Sequence, residues 1–225
     1  MAVNKKSLKR LIVALDLEEK KKLNKIVKDL SGYIDKFKIG LIAYTKFGPQ
    51  IITQLKSKGF KVFLDLKLLD IPNTVINTAK IFAKMRVWAF TVHLKMGENP
   101  LTLLKKELAS FCRKNKLRKP LILGVTELTS EKASLKNVLK LASLASRVGL
   151  EGVIASSQEA PFIRRKYPKL KIITPGIRPP DYEQDDQRRV SSASFALNYA
   201  DFIVVGRPII KAKHPLAGVK KILSC

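Results

Sequence analysis

The sequence holds little from which to build a disulfide framework or a metal centre. Its 225 residues include two cysteines and two histidines. Cys112 and Cys225 lie far apart and show no metal-ligand spacing, which fits a reducing compartment. His93 has only His214 to accompany it, so a His-rich metal site is excluded. Long apolar runs are missing too: no stretch approaches the roughly 18 uncharged apolar residues of a membrane span. The segment MAVNKKSLKRLIVALDL is basic, but its apolar run, LIVAL, stops at Asp16 and is shorter than a signal-peptide core. The expectation is a soluble, cytoplasmic protein with no membrane association. Low-complexity segments and obvious linkers are also lacking.

Acidic residues are scarce. Lys plus Arg number 44 against 18 Asp plus Glu, a formal net charge of +26. Such a field attracts phosphate-bearing molecules, from nucleotides to nucleic acid. The lysines recur through EEKKKLNKIVKDL, LLKKELASFCRKNKLRK and IRRKYPKLK, chiefly on polar helix faces. They read as a Lys-rich solvated surface, with a selected polyanion-binding face as the alternative. Aromatics make up 7% of the chain, and no aromatic-basic RNA-recognition motif is visible, so a nucleic-acid partner is not expected despite the charge.

What is present is an alternation. Short apolar runs fall at 11–15, 34–39, 61–66, 89–94, 121–126, 152–155, 171–174 and 202–206. Between them lie stretches such as LEEKKKLNKIVKDL and SLKNVLKLASLASRVG, with apolar residues three and four apart, the helical period. Gly32, Gly59 and Gly149 follow candidate helices, where glycine is favoured. About eight β–α units in one chain predict an α/β fold, a (β/α)8 TIM barrel forming a single domain over 1–225. A doubly wound open sheet is the competitor, but no G-x-G-x-x-G turn follows the first apolar run.

Active sites of such barrels lie at the C-terminal strand ends. Asp16, Lys38, Asp65, Lys67, His93, Thr126, Thr129, Arg178, Gly206 and Arg207 all fall there. In FLDLKLLDIPNTV (63–75), Asp65 and Lys67 are two apart, so on a strand they share a face. Lys38 can reach them, and Asp70 lies just beyond the strand. Alternating Lys and Asp keeps each buried charge paired, and carboxylates beside Lys67 favour its ammonium form. The array serves either as a salt-bridge network closing the barrel end or as a catalytic group. VVGRPI has the look of a phosphate site: Gly206 allows close backbone approach and Arg207 offers a fork of donors. PGIRPPDYEQDDQRRV (175–190) reads as a mobile lid. His93 reads as a hydrogen-bonded strand-end histidine rather than a catalyst. Ser156 and Ser157 lack a nucleophile context, and Trp88 reads as core or interface.

With these segments placed, the chain resembles the orotidine 5'-phosphate decarboxylase family, its bacterial branch most closely. The likeness runs through VALD, FKIGLIAYTKFGPQII, FLDLKLLDIPNTV, VTELTS, SSQEA, TPGIRP, DQRRV and VVGRPI, in that order. D-x-K-x-x-D followed by IPNT is the specific part. Related magnesium-dependent sugar-phosphate enzymes share the first motif but not typically the second. The resemblance implies conversion of orotidine 5'-phosphate (OMP) to uridine 5'-phosphate (UMP) without a metal or other cofactor. It implies Lys67 as general acid at pyrimidine C6, with Asp65 and Lys38 positioning it and binding ribose. Asp70, Ile71 and Thr74 would reach the neighbouring subunit's site, which implies a homodimer with shared active sites. Asp16 would bind the ribose side and Thr129 or Ser130 would lie near the base. Gln187, Gly206 and Arg207 would hold the phosphate, with Arg178 nearby. Two departures stand out: Leu69 replaces the usual histidine, and HLKMGEN (93–99) is bulkier than the usual Gly-rich turn.

Overall fold

Burial of alternate strand residues and of one stripe per helix leads to a single arrangement here. A computed structural model describes residues 4–127, 134–179, 182 and 191–224. Eight parallel strands close on themselves in chain order: β1 (Leu11–Ala14), β2 (Lys36–Gly40), β3 (Lys61–Leu68), β4 (Ala89–His93), β5 (Leu121–Val125), β6 (Gly152–Ile154), β7 (Lys171–Thr174) and β8 (Phe202–Val205). β1 pairs with both β2 and β8, which completes the barrel. Each of the eight expected apolar runs overlaps one of these strands.

Inward-pointing Ile12, Ala14, Phe63, Ala89, Leu123, Ile173 and Val204 form an inner core of their own. The other faces of the strands pack against the helices in a second, larger core. The strand runs are almost continuously apolar because both faces are covered. Among the described residues, no helix is long and apolar enough to cross a membrane.

The helix Leu135–Val148 shows how local signals set an element. The Ser134 side chain accepts a hydrogen bond from Asn137 N–H at its start, a cap worth about 1 kcal/mol. Val138, Ala142, Ala145 and Val148 form its buried stripe, and Gly149 ends it in the left-handed conformation at φ 72°. Gly59, at φ 83°, ends its helix in the same way, whereas Gly32, at φ 87°, lies in a turn after the already extended Ser31.

The structure departs from simple alternation at one place. β3 runs on to Leu68, two residues beyond its expected end. Its pairing with β4 shifts between Leu64, opposite Phe90, and Leu68, opposite Val92, so β3 advances four residues while β4 advances two. Lys67 sits in this bulge with φ 52°. A lysine in that conformation carries strain of about 1–3 kcal/mol, held by its surroundings.

Candidate active site

The inner core gives way to charge at the C-terminal ends of the strands. A cavity of about 510 Å³ opens there, with Ala14, Phe63, Val125, Ile154 and Val204 among its apolar lining residues. Above this floor, β2 carries Lys38 and β3 carries Asp65 and Lys67, while Asp16 follows β1. Asp65 Oδ2 lies 3.0 Å from Lys67 Nζ and 3.5 Å from Lys38 Nζ. Lys38 Nζ is in turn 3.1 Å from Asp16 Oδ2. The result is a chain Asp16–Lys38–Asp65–Lys67 of alternating sign. It is graded in depth: the side chains of Lys38 and Asp65 are 12% and 13% exposed, that of Lys67 33%. The two ends of the array, Asp16 at 34% and Lys67 at 33%, are its more exposed members.

Electrostatics explains why burial is tolerated. Burial alone would push the Asp65 carboxyl up, but Lys38 and Lys67 outweigh it and hold the group below its ordinary value. Burial would lower Lys38, yet Asp65 and Asp16 overcome this and raise it. Both groups stay ionised because each is the other's partner.

Two residues that sequence reasoning missed complete the array. Thr91, fully buried on β4, donates its hydroxyl to Asp65 Oδ1 at 3.0 Å and accepts the Lys67 backbone N–H at 2.8 Å. It thereby fixes the carboxylate and satisfies the amide that the bulge removes from the strand ladder. Gly40 is the second. A Cβ there would stand 2.5 Å from Asp16 Oδ1 and 2.9 Å from Lys38 Nζ. Its backbone is ordinary, so the requirement is for space. Inward alternation along β4 from Ala89 would have pointed to Thr91; nothing in the sequence marks Gly40.

The opposite wall of the cavity carries Gly176, Arg178, Gly206 and Arg207. Arg178 is 7% exposed; its guanidinium donates to the Ile177 carbonyl and lies 5.5 Å from the Tyr182 ring. Lys22 and Lys211 also line the cavity, although the sequence did not single them out. Six cations, Lys22, Lys38, Lys67, Arg178, Arg207 and Lys211, thus face three carboxylates, Asp16, Asp65 and Glu127. An anionic ligand suits that balance.

Asp70, Ile71 and Thr74 stand apart. All three are exposed and none lines the cavity of this chain. Asp70 Oδ1 accepts the Ile71 backbone N–H at 2.7 Å, and among the described residues Asp70 has no ion pair. Leu69 and Ile71 are 55% and 66% exposed, and Leu41 and Ile42, after the neighbouring β2, are 61% and 49% exposed. Thr129, Ser130 and Gln187 lie outside the described residues, as do 180, 181 and 183–190 of the expected lid. The Ser156 hydroxyl is committed to the Glu159 carboxylate, which also accepts the Ser156 N–H at 2.8 Å. Among the described residues, no three His, Cys, Asp or Glu side chains gather as a metal site.

Known proteins carry the same arrangement of chain and fold. The orotidine 5'-phosphate decarboxylase of Pseudomonas putida strain F1 is 38% identical, over 95% of each chain. That of Vibrio cholerae is 37% identical, over 96% of this chain and 97% of the other. The crystal structure of orotidine 5'-phosphate decarboxylase from Lactobacillus acidophilus superposes with a TM-score of 0.81 at 33% identity, covering 96% of this chain and 98% of that one. An uncharacterised conserved protein from Geobacillus kaustophilus gives a TM-score of 0.80 at 28% identity, over 95% and 98% of the two chains. The model of the orotidine 5'-phosphate decarboxylase / HUMPS family matches residues 9–222, and the chain belongs to that family.

Proposed function

We propose that this protein decarboxylates OMP to UMP, the closing step of UMP synthesis, with Lys67 as the proton donor. The observation that carries this reading is the placement of the Lys67 ammonium 3.0 Å from a buried carboxylate at the mouth of a cation-rich cavity. The relatives' names supply the substrate. In the reaction the bond from C6 to the carboxylate carbon breaks, carbon dioxide leaves, and the electron pair stays on C6. A preorganised ammonium stabilises that charge as it forms and then gives C6 its proton. Lys38, held between Asp16 and Asp65, positions the array and meets the ribose with Asp16. Gly206, Arg207 and Arg178 take the phosphate, remote from the breaking bond, so phosphate binding energy serves to close and dry the site.

Asp70, Ile71 and Thr74 belong, in this reading, to the site of a second copy in a homodimer. Their exposure supports it, as do the apolar Leu41, Ile42 and Leu69 at neighbouring strand ends. Asp70 would then stand beside the substrate carboxylate and disfavour the bound ground state. Mixing an inactive Lys67→Ala protein with an inactive Asp70→Ala protein should restore part of the activity through hybrid dimers. Absence of recovery after verified subunit exchange would remove the shared site.

Two further substitutions test the cavity walls. Arg207→Ala should raise KM about 10- to 100-fold, the loss of a charged hydrogen bond, with a smaller effect on kcat; an unchanged substrate response would displace the phosphate assignment. Gly40→Ala meets only the ends of the Asp16 and Lys38 side chains. The fold should accept it with little change in Tm, while displacement of the pair lowers turnover about 100-fold. Full activity in that variant would show that the pair's position is unimportant.

The direct test is the ultraviolet absorbance of OMP mixed with the protein and a chelator. Loss of the OMP absorbance with UMP appearing is the expected result. Activity that vanishes on chelation would favour a magnesium-dependent sugar-phosphate lyase on the same scaffold.

A further inference from the structure

The opposite end of the barrel carries a second cationic cavity that the reaction does not use. It lies where the chain enters β3, β4 and β5, is about 400 Å³ in volume, and is lined by Lys56, Lys61, Arg86, Lys116, Arg118 and Lys119 together with Val87, Trp88 and Leu117. No carboxylate is among these lining residues. Lys61 pairs with Asp35 at 3.1 Å and Lys119 with Glu151 at 2.5 Å. Lys56, Arg86, Lys116 and Arg118 have no ion pair among the described residues. Four uncompensated cations around one small volume repel each other, so the fold gains nothing from gathering them.

The backbone gives an independent sign. Three consecutive helices end above this cavity with the same pair of hydrogen bonds. After the helix Gln50–Ser57, the turning residue is Gly59 at φ 83°, with Gly59 N–H donating to Lys56 O and Phe60 N–H to Leu55 O. After the helix Pro72–Lys84, the equivalent residue is Arg86 at φ 55°, with bonds to Ala83 O and from Val87 to Phe82 O. After the helix Glu98–Lys114 it is Lys116 at φ 53°, with bonds to Arg113 O and from Leu117 to Cys112 O. Glycine is the residue this left-handed position favours. Two of the three turns instead hold a cation there, and both cations line the cavity. Besides Lys67, these are the only non-glycine residues at positive φ among the described residues.

We propose that this cavity binds a small anion carrying several linked phosphate groups. A phosphate chain is compact enough for the volume and can neutralise several cations at once, which a single carboxylate or phosphate cannot. Trp88, half-buried at the cavity wall with its ring edge-packed on Phe202 at 5.3 Å, adds an aromatic surface that a nucleoside polyphosphate can use. The small volume, with a single aromatic in its lining, suits such a ligand better than a nucleic-acid strand, which needs a groove with repeated stacking platforms.

Trp88 is the chain's one tryptophan; it stands at this cavity's wall and also packs on the inner core, so the double variant below is what assigns a change in its emission to this cavity. The experiment titrates the full-length protein with inorganic triphosphate and, separately, with a nucleoside triphosphate, following Trp88 emission and binding heat. Saturable binding that weakens with salt is expected. The double variant Arg86→Gly, Lys116→Gly should bind about 100-fold more weakly, about tenfold per lost charged contact. Its Tm should be unchanged or raised, because glycine suits both turns. A matched removal of charge elsewhere, Lys136→Gln with Lys140→Gln, should leave binding within about threefold of the parent. Tighter binding of the nucleoside form identifies a nucleotide, and equal binding identifies the phosphate chain alone; both support the site. Lack of saturable binding, equal weakening by the Lys136 and Lys140 changes, or binding confined to long RNA would overturn it.

Discussion

Replacement of Lys67 by alanine is expected to lower OMP turnover by about 10⁴-fold or more, the combined loss of a general acid and of a preorganised charge at C6. The same variant should keep UMP affinity within about tenfold, because the proposed phosphate and ribose contacts lie elsewhere. Folding should survive as well. Asp65 keeps its ion pair with Lys38 at 3.5 Å and its hydrogen bond from Thr91 at 3.0 Å, so no buried charge is orphaned. Removing a lysine from φ 52° does not by itself relieve the strain, since alanine is also disfavoured there. Stopped-flow or steady-state absorbance against a UMP titration separates the two effects. Turnover near the parent level would remove the proton-donor role and leave the array as a structural network.

Replacement of Asp65 by alanine should be the more damaging change for stability. It takes away the carboxylate shared by two lysines, leaving Lys38 with Asp16 alone and Lys67 with no partner in the array. Breaking a buried pair in this one-sided way costs about 3–5 kcal/mol. For a chain of this size that lowers Tm on the order of 10 °C. Turnover should be lost along with it.

The pH dependence of that gap follows from the depressed Asp65 carboxyl. Its folded value lies below the ordinary 3.8, so the folded state binds the proton less readily than the unfolded chain. The stabilisation is therefore complete above about pH 4 and disappears as pH falls through the folded value. Thermal unfolding of the parent and of Asp65→Ala should differ most at neutral pH and converge in strong acid. A gap that persists there would assign the loss to packing rather than to charge. Lys38 behaves in the opposite sense: its raised value makes its contribution complete below about pH 10 and lost at higher pH.

Much of the architecture follows from residue patterns. Each of the eight runs forms a strand because it is short, largely apolar and followed by a helical stretch, which a covered parallel sheet accommodates. The chemistry-bearing residues were legible for a related reason. Ionised groups in apolar surroundings, such as Asp65 and Lys67 in FLDLKLLD, persist only where partners are supplied, and β2 brings Lys38 to them. Asp70, Ile71 and Thr74 were legible only as a motif. Within one chain they face outward, and a single chain does not say what meets them.

Composition and patterning alone thus determined the β–α alternation, the strand ends that bear charge, and the excess of cations over anions. Tertiary structure decided how these meet. The rule that residues two apart share a face led to the pairing of Asp65 with Lys67, but the fold achieves it through a bulge and a left-handed Lys67 whose amide is accepted by Thr91. That partner comes from β4, 24 residues on. The need for an empty space at Gly40 arises only where Asp16 and Lys38 converge over it. The cationic cavity beneath the barrel exists because three separate turns meet at one end. Each of these depends on distances between residues far apart in the chain, and local patterns carry no such distances.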